Sequence, residues 1–138
     1  LRRVVADFSG TLWRDNQHQE RMEGTKARLG WYRRRDTPAY YAALFLLTSS
    51  DELWQRTANC FYRQGFEAAY AQRRGIALQD YALLAAARDL YAGAVPTAAE
   101  LPDEDLVDIQ TLGLIVNAAL IARYGLPALG IRDGRSKW

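Results

Sequence analysis

The side chains with the greatest potential for chemistry are one cysteine, Cys60, and one histidine, His18. A thiol needs a neighbouring imidazole or a helix dipole to lower its pKa before it acts as a nucleophile. Cys60 directly precedes Phe61 in an apolar stretch, and His18 falls on the apolar stripe of a predicted helix. We therefore expect a buried, inert thiol and a histidine that packs and hydrogen-bonds. A chain with one cysteine cannot form an internal disulfide, and one cysteine with one histidine are too few ligands for a structural zinc site. We therefore predict no metal and no cofactor.

A second candidate for chemistry is the segment 4–12, which contains Asp7 and Ser9. This segment resembles the nucleophile motif of haloacid-dehalogenase-type phosphatases, and the resemblance implies that Asp7 is the nucleophile and that Ser9 stands at the acid-base position. That chemistry also needs a lysine and an acidic pair on further parallel strands. Lys26 and Lys137 lie on a polar helix and in a terminal segment, and no strand-helix alternation follows residue 12. A phosphatase fragment is therefore a remote alternative to an extended N-terminal arm.

The strongest candidate for a surface site is a run of aromatic and arginine residues at the end of the first predicted helix. Aromatic rings beside guanidinium groups stack on bases and hold phosphates, although arginines also favour a helix C-terminus for electrostatic reasons. The run and two arginines that would extend it are Trp31, Tyr32, Arg33, Arg34, Arg35, Arg73 and Arg74. The pattern indicates a nucleic-acid or partner-binding patch.

An acidic segment balances this basic one near the other end of the chain. Its members are Glu100, Asp103, Glu104, Asp105 and Asp108. They could hold a hard cation, but the segment lacks the glycine and the ligand spacing of a calcium loop. Carboxylates are also favoured at a helix N-terminus, which is the simpler interpretation. The same residues are our candidate for an acidic partner-binding surface.

The net charge is +2, but the positive and negative residues are concentrated in different segments of the chain. Residues 1–35 hold nine Lys or Arg against four Asp or Glu, whereas residues 94–125 hold one against five. Such a charge dipole either steers a partner or is neutralised within the fold. Arginine supplies sixteen of the eighteen basic residues, and its planar fork suits carboxylate and phosphate groups.

The sequence around these residues contains many helix signals. The alternation of apolar and polar residues that is typical of a β-strand is almost absent. We predict a helix from Asp15 or Asn16 to near Arg35, and we leave residues 66–74 undecided between helix and loop. The other predicted helices cover residues 38–47, the segment from a capping box at Ser49 to a stop at Gly65, and residues 80–92 and 111–124. The helices 38–47 and 112–124 are apolar on all sides, which predicts that they form the centre.

The prediction is thus a single all-α domain, a compact bundle of five or six helices. Residues 1–12 are expected to form an extended arm, 13–125 the helical core and 126–138 a C-terminal tail. A chain of 138 residues buries enough surface to fold without disulfides. We find no secretory signal and no apolar stretch of the ~20 residues that span a bilayer. The single cysteine favours a reducing compartment, so we expect a cytoplasmic protein with no membrane contact.

Four blocks of the chain also resemble a family of small uncharacterised proteins of bacterial prophages and conjugative elements, a domain of unknown function. The blocks are residues 15–22 with His18, 41–47, 84–93 and the closing helix to Tyr124. The family's arginine and two asparagines in the third block appear here as Ala85, Asp89 and Ala92. The resemblance implies a helical accessory protein of a mobile element that has no cofactor and acts by binding proteins, including those of host defence.

These observations lead to a prediction of function class. The chain has no complete catalytic constellation, so we expect a non-enzymatic protein that binds another protein. Nucleic-acid binding through the Trp31 to Arg35 run is the alternative, and its mark would be a steep dependence on salt. The oligomeric state is left open.

Overall fold

The computed structural model describes residues 13–30, 35–62, 65–94 and 108–129. This part of the chain is mostly helical, with five α-helices that pack together and one small antiparallel hairpin. The helices are α1 (Asn16–Leu29), α2 (Pro38–Leu47), α3 (Asp51–Thr57), α4 (Leu78–Tyr91) and α5 (Ile109–Tyr124). The strands are β1 (Phe61–Tyr62) and β2 (Gly65–Phe66), and 3-10 turns cover Ala58–Cys60, Ala68–Tyr70 and Leu126–Leu129. The helical class is confirmed, with the hairpin as an addition.

Helix α2 forms the centre of the molecule, as its apolar sequence predicts. Every residue from Tyr40 to Leu47 is buried, and the helix packs against both α4 and α5. Its start is set locally, because the Thr37 hydroxyl accepts a hydrogen bond from the Tyr40 N–H at 3.2 Å and Pro38 occupies the first helical position. A helix buried on all sides needs neighbours around it, and α2 thereby determines where the others lie.

Helix α1 is shorter than predicted, because it ends at Leu29 and not near Arg35. Gly30 adopts φ 69°, a left-handed conformation that costs glycine little, and its N–H donates to the Lys26 carbonyl at 3.1 Å. The predicted start is confirmed, since an Asp15 carboxylate oxygen accepts from the His18 N–H at 2.8 Å. The predicted inner stripe is also confirmed at His18, Met22 and Thr25, which are buried.

The predicted helix from Ser49 to a stop at Gly65 is wrong after Thr57. Helix α3 is capped by Ser50, one residue after the predicted Ser49, and it ends at Thr57. The chain then passes through a 3-10 turn into the hairpin, where Phe61 pairs with Phe66. The Phe61 ring lies 4.8 Å from that of Phe66 and 5.6 Å from that of Tyr40. The Tyr40 contact comes from a distant part of the chain, and together with the Phe66 contact it outweighs the local helix pattern.

The undecided segment 66–74 is a 3-10 turn followed by a loop, and Arg56 of α3 holds the loop in place. The Arg56 guanidinium donates to the carbonyls of Gln72, Arg74 and Gly75 at 3.2, 2.6 and 3.3 Å. Three carbonyl acceptors on one guanidinium give the loop a defined position without a helix or a strand of its own. The loop thereby carries Arg73 to a fixed place beside the hairpin.

Helix α5 was predicted to lie at the centre and to be buried on all sides, but it is buried on one face. Its buried residues, which include Leu114, Ile115, Ala118 and Ile121, face the core, but other apolar side chains of α5 face solvent. After the helix, Leu126 is fully buried, so the predicted tail from residue 126 still contributes to the core at its first position. None of the helices in the described ranges combines the length and apolar character that a membrane span requires.

Candidate protein-binding surface

The residues of the phosphatase-like motif cannot be assembled into a site from the described chain. Asp7, Ser9 and Lys137 lie outside the described residues. Lys26 is on α1, where its ammonium group pairs with the Glu23 carboxylate at 3.2 Å. The sheet within the described ranges is a two-stranded antiparallel hairpin, and a phosphatase of this class needs parallel strands.

His18 is held in one protonation state by its surroundings. Its Nε2–H donates to the Phe45 carbonyl at 2.7 Å, and its Nδ1 accepts from the Arg14 N–H at 3.0 Å. The rings of Trp13 and Phe45 flank the imidazole at centroid distances of 4.9 and 4.8 Å. Burial lowers the pKa of His18 from 6.5 to about 4, because desolvation penalises the charged imidazolium. The prediction of a buried, hydrogen-bonded histidine is confirmed.

Cys60 is a buried free thiol, as its sequence context predicts. Burial raises the pKa of the Cys60 thiol to about 11, because a thiolate would lose its hydration there. A thiol with a raised pKa is a poor nucleophile, and both nitrogens of His18 already have other partners. The two residues therefore support packing and not covalent chemistry.

The state of His18 makes the fold sensitive to acid. In the unfolded chain the imidazole binds a proton near pH 6.5, whereas in the native state it does so only near pH 4. The unfolded state is therefore favoured as pH falls from 6.5 towards 4, and the native state loses up to about 3 kcal/mol over this window. The measurement is the free energy of unfolding in urea at pH 7 and at pH 4.5.

His18→Gln provides the control for this prediction, because the chain has one histidine. The variant keeps every carboxylate of the parent, so the substitution removes the His18 contribution to the pH dependence. We expect the stability of the variant to fall less than that of the parent between the two pH values. Parallel losses in the two proteins would contradict the assignment.

Three of the seven residues of the predicted basic patch are described. Trp31, Tyr32, Arg33 and Arg34 lie outside the described residues. Arg35 does not belong to an exposed patch, because its residue surface is 4% exposed. Arg73 and Arg74 are exposed on the loop that Arg56 holds.

Arg35 has a structural role that the sequence pattern concealed. Its Nε donates to one oxygen of Asp36 at 2.5 Å, while one Nη donates to the other oxygen at 3.2 Å and to the Gly30 carbonyl at 2.7 Å. The Tyr41 hydroxyl donates to Asp36 at 3.2 Å, and the guanidinium lies over the Tyr40 ring. Burial alone would lower the pKa of Arg35, but hydrogen bonding to Asp36 and the charge of that carboxylate raise it above its ordinary value. The ion pair thereby connects the end of α1, through Gly30, to α2, through Tyr41.

The structure describes one of the five residues of the predicted acidic partner-binding surface, Asp108. Glu100, Asp103, Glu104 and Asp105 lie outside the described residues. Asp108 caps α5, because its carboxylate accepts from the Thr111 N–H at 2.7 Å. Within the described part of the chain, no group of three potential ligands is placed to hold a metal ion.

A row of apolar side chains on α5 is the most distinctive feature of the described surface. Ile109, Leu112 and Val116 are 89%, 36% and 39% exposed, and their spacing of three and four residues places them on one face. We call these three residues the α5 stripe. The helix carries no charged side chain from Ile109 to Ala122, so no like-charge or desolvation cost opposes a partner there.

The start of α4 lies beside the α5 stripe. The Asp108 N–H donates to the Gln79 side-chain oxygen at 2.9 Å, which brings the first turns of α4 and α5 together. Leu78, the chain neighbour of Gln79, is 51% exposed. The apolar surface therefore extends from α5 towards α4.

Sequence reasoning missed the α5 stripe because it assigned the whole helix to the core. One signal was present, since the helix holds more apolar residues than one core-facing stripe needs and has no charged residue from Ile109 to Ala122. A helix of that kind is buried on all sides or has a second face for a partner. Only the placement of α2 and α4 on one side of α5 distinguishes these cases.

Comparison of the chain with models of known protein families, with curated proteins and with solved structures gives no match. Function is therefore inferred from the surface and the chemistry of this chain.

Proposed function

We propose that the protein is a non-enzymatic accessory protein that binds another protein through the α5 stripe. The observation that carries the proposal is the exposure of Ile109, Leu112 and Val116 on one face of α5, in a stretch that has no charged residue. Isolated apolar side chains on a surface are ordinary, but three in register on one helix form the pattern that docks a second helix.

The chemistry of the partner follows from the length of the α5 stripe and from the acidic residues that precede it in the sequence. The stripe covers two helical turns, about 10 Å along the axis, which is the length over which two helices make their central contacts. The acidic residues from Glu100 to Asp108 directly precede it in the chain. A partner helix with an apolar face and a basic flank is complementary to both features, because opposite charges steer encounter while apolar burial holds the complex.

The biological setting is a further part of the proposal. The resemblance to a family of prophage and conjugative-element proteins supports an accessory role in a mobile element, with proteins of host defence among the partners to test. The lone buried cysteine fits a reducing cytoplasm. Nucleic-acid binding is the alternative, and it has less support because Arg35 is buried in an ion pair.

Single glutamate substitutions in the stripe test the proposal. We expect Ile109→Glu and Val116→Glu each to weaken partner binding about tenfold or more, because each places a charge in an apolar contact. Both side chains are exposed, so the fold should keep its stability within about 0.5 kcal/mol. Proteins captured from a nuclease-treated host lysate would be identified first, and the dissociation constant of the purified complex would then be measured for each variant.

Gln110→Glu is the matched control, because Gln110 is exposed between the stripe residues and receives the same charge. A captured protein supports the proposal when both stripe variants lose it, Gln110→Glu retains it and its contact helix is apolar with a basic flank. Sedimentation of the purified parent tests for a second copy as the partner, and a dimer that Val116→Glu dissociates would replace the proposed partner. Capture that the stripe variants leave unchanged, or that nuclease abolishes, would overturn the proposal.

A further inference from the structure

A surface cavity of about 310 Å³ lies between the hairpin, the following turn and the C-terminal end of α4. Two aromatic rings, those of Phe66 and Tyr91, form part of its wall, with centroids 5.3 Å apart. Arg73 and Arg88 contribute guanidinium groups from the loop and from α4. Glu67 and three alanines complete the lining. The volume lies at the small end of the range for ligand pockets, which suits a single ring with one substituent.

We propose that this cavity binds a small ring-bearing oxyanion, either a carboxylate or a phosphate monoester. The two guanidinium groups supply planar donors that match an oxyanion, and the two rings supply an apolar wall for the flat part of the ligand. This site is separate from the α5 stripe. Gln79 marks the α4 end near the stripe, and Tyr91 lies about 18 Å from it at 1.5 Å per residue.

The charges around the cavity favour an anion. Two arginines and one glutamate line it, so the lining groups carry one net positive charge. The Glu67 carboxylate accepts from the Ala69 N–H at 3.1 Å and is therefore fixed at the start of the 3-10 turn. The Asp89 carboxylate lies 3.5 Å from the Arg88 guanidinium, at the limit of a hydrogen bond. This weak pairing leaves Arg88 able to turn towards a ligand.

Arg73 is more firmly placed than Arg88. One of its Nη groups donates to the Ala68 carbonyl at 3.1 Å, so the guanidinium is held against the wall of the cavity. A guanidinium carries several N–H donors, and this contact uses one of them. A fixed arginine and an adjustable one form a clamp for an oxyanion, because the first positions the group and the second closes on it.

Gly65 keeps the aromatic wall in place. A Cβ at this position would lie 2.8 Å from the Tyr91 hydroxyl oxygen, which is closer than a Cβ atom approaches a non-bonded atom. Glycine therefore allows the end of Tyr91 to lie against the hairpin. The phenol ring then stays at the cavity wall beside Phe66.

Titration of the full chain with small probes tests the proposal. Phenyl phosphate and benzoate are the two anionic probes, and benzylamine is the cationic probe of similar size. We expect saturable binding of at least one anion with a dissociation constant of about 1 mM, and no binding of benzylamine. Amide NMR shifts should change at Phe66, Ala69 and Tyr91, and the stronger anion identifies the ligand as a phosphate or a carboxylate.

Arg88→Gln is the main variant, because the Arg88 side chain is 54% exposed and its loss leaves the fold intact. We expect it to weaken anion binding about tenfold, and Arg73→Gln to do so at least as strongly. Arg74→Gln is the matched control, since Arg74 is the exposed neighbour of Arg73 and does not line the cavity. Equal weakening by Arg74→Gln, equal binding of benzylamine, or no saturable anion binding up to about 10 mM would overturn the proposal.

Discussion

Asp36→Asn should destabilise the native state by about 3–5 kcal/mol, because it leaves the Arg35 guanidinium buried without its counter-charge. The carboxylate of Asp36 receives two hydrogen bonds from Arg35 and one from Tyr41. The Arg35 and Asp36 side chains are 3% and 2% exposed, so water cannot reach the guanidinium and hydrate the charge that the substitution leaves uncompensated. The measurement is the free energy of unfolding from urea titration at pH 7.

Glu23→Gln is the matched control for this prediction. It makes the same chemical change in the Lys26–Glu23 pair, where the Glu23 side chain is 47% exposed. Exposed pairs contribute about 0–1 kcal/mol, so this variant should stay close to the parent. The double variant Arg35→Met with Asp36→Asn should recover part of the loss, because it removes the uncompensated charge. Equal effects of Asp36→Asn and Glu23→Gln would show that the buried pair is not a major stabilising contact.

Phe45→Ala should also destabilise the fold by about 3–5 kcal/mol, through the cavity that it opens in α2. The Phe45 ring is fully buried and packs against Trp13 and His18 at centroid distances of 5.6 and 4.8 Å. The substitution also removes part of the apolar cover of His18. We therefore expect the pKa of His18 to rise from about 4 towards 6.5, as followed by NMR titration of the imidazole.

Phe45→Leu separates the two consequences of this change. Leucine keeps most of the apolar volume, so the loss should be smaller than that of Phe45→Ala. The main-chain carbonyl that accepts from His18 is present in both variants. The pKa of His18 should therefore follow the amount of apolar cover. A pKa that stays near 4 in Phe45→Ala would assign the shift to the hydrogen bonds of His18 and contradict the role of burial.

Local chemistry explains which helix boundaries could be predicted. Asp15, Thr37 and Asp108 each cap a helix through an oxygen that reaches an N–H three residues on. Such a cap depends only on adjacent residues, so it is visible in the sequence. The starts of α1 and α2 were predicted for this reason. The C-terminus of α1 was missed because the pattern of apolar residues continues past Gly30, whereas the glycine ends the helix.

The burial of α2 was also determined by the sequence alone. Eight consecutive apolar or aromatic residues leave no face for solvent, so the helix has to lie at the centre of any compact fold. His18 and Cys60 were correctly placed inside for a similar reason, because both lie within apolar patterns. In these cases burial follows from composition and does not depend on which elements are neighbours.

Tertiary structure decided the features that involve pairing between distant segments. In the hairpin, Phe61 pairs with Phe66 and packs against Tyr40, and the Tyr40 contact joins segments that the local pattern does not connect. Arg35 belongs by sequence to a run of arginines, but its place between Gly30 and the Tyr40 ring takes it out of solvent. Charge runs indicate exposure only when no buried partner is available, and that partner is supplied by the fold.

The two candidate binding sites likewise depend on the arrangement of elements. The apolar residues of α5 are equivalent in the sequence, and only the packing of α2 and α4 leaves Ile109 and Val116 in solvent. The cavity combines Arg73 from a loop with Arg88 from α4, residues that the chain separates and the fold brings together. The sequence thus determined the helical class, the N-terminal caps of α1 and α2 and the central helix through local and compositional effects. The tertiary structure decided which surfaces are exposed, because exposure depends on what covers each residue.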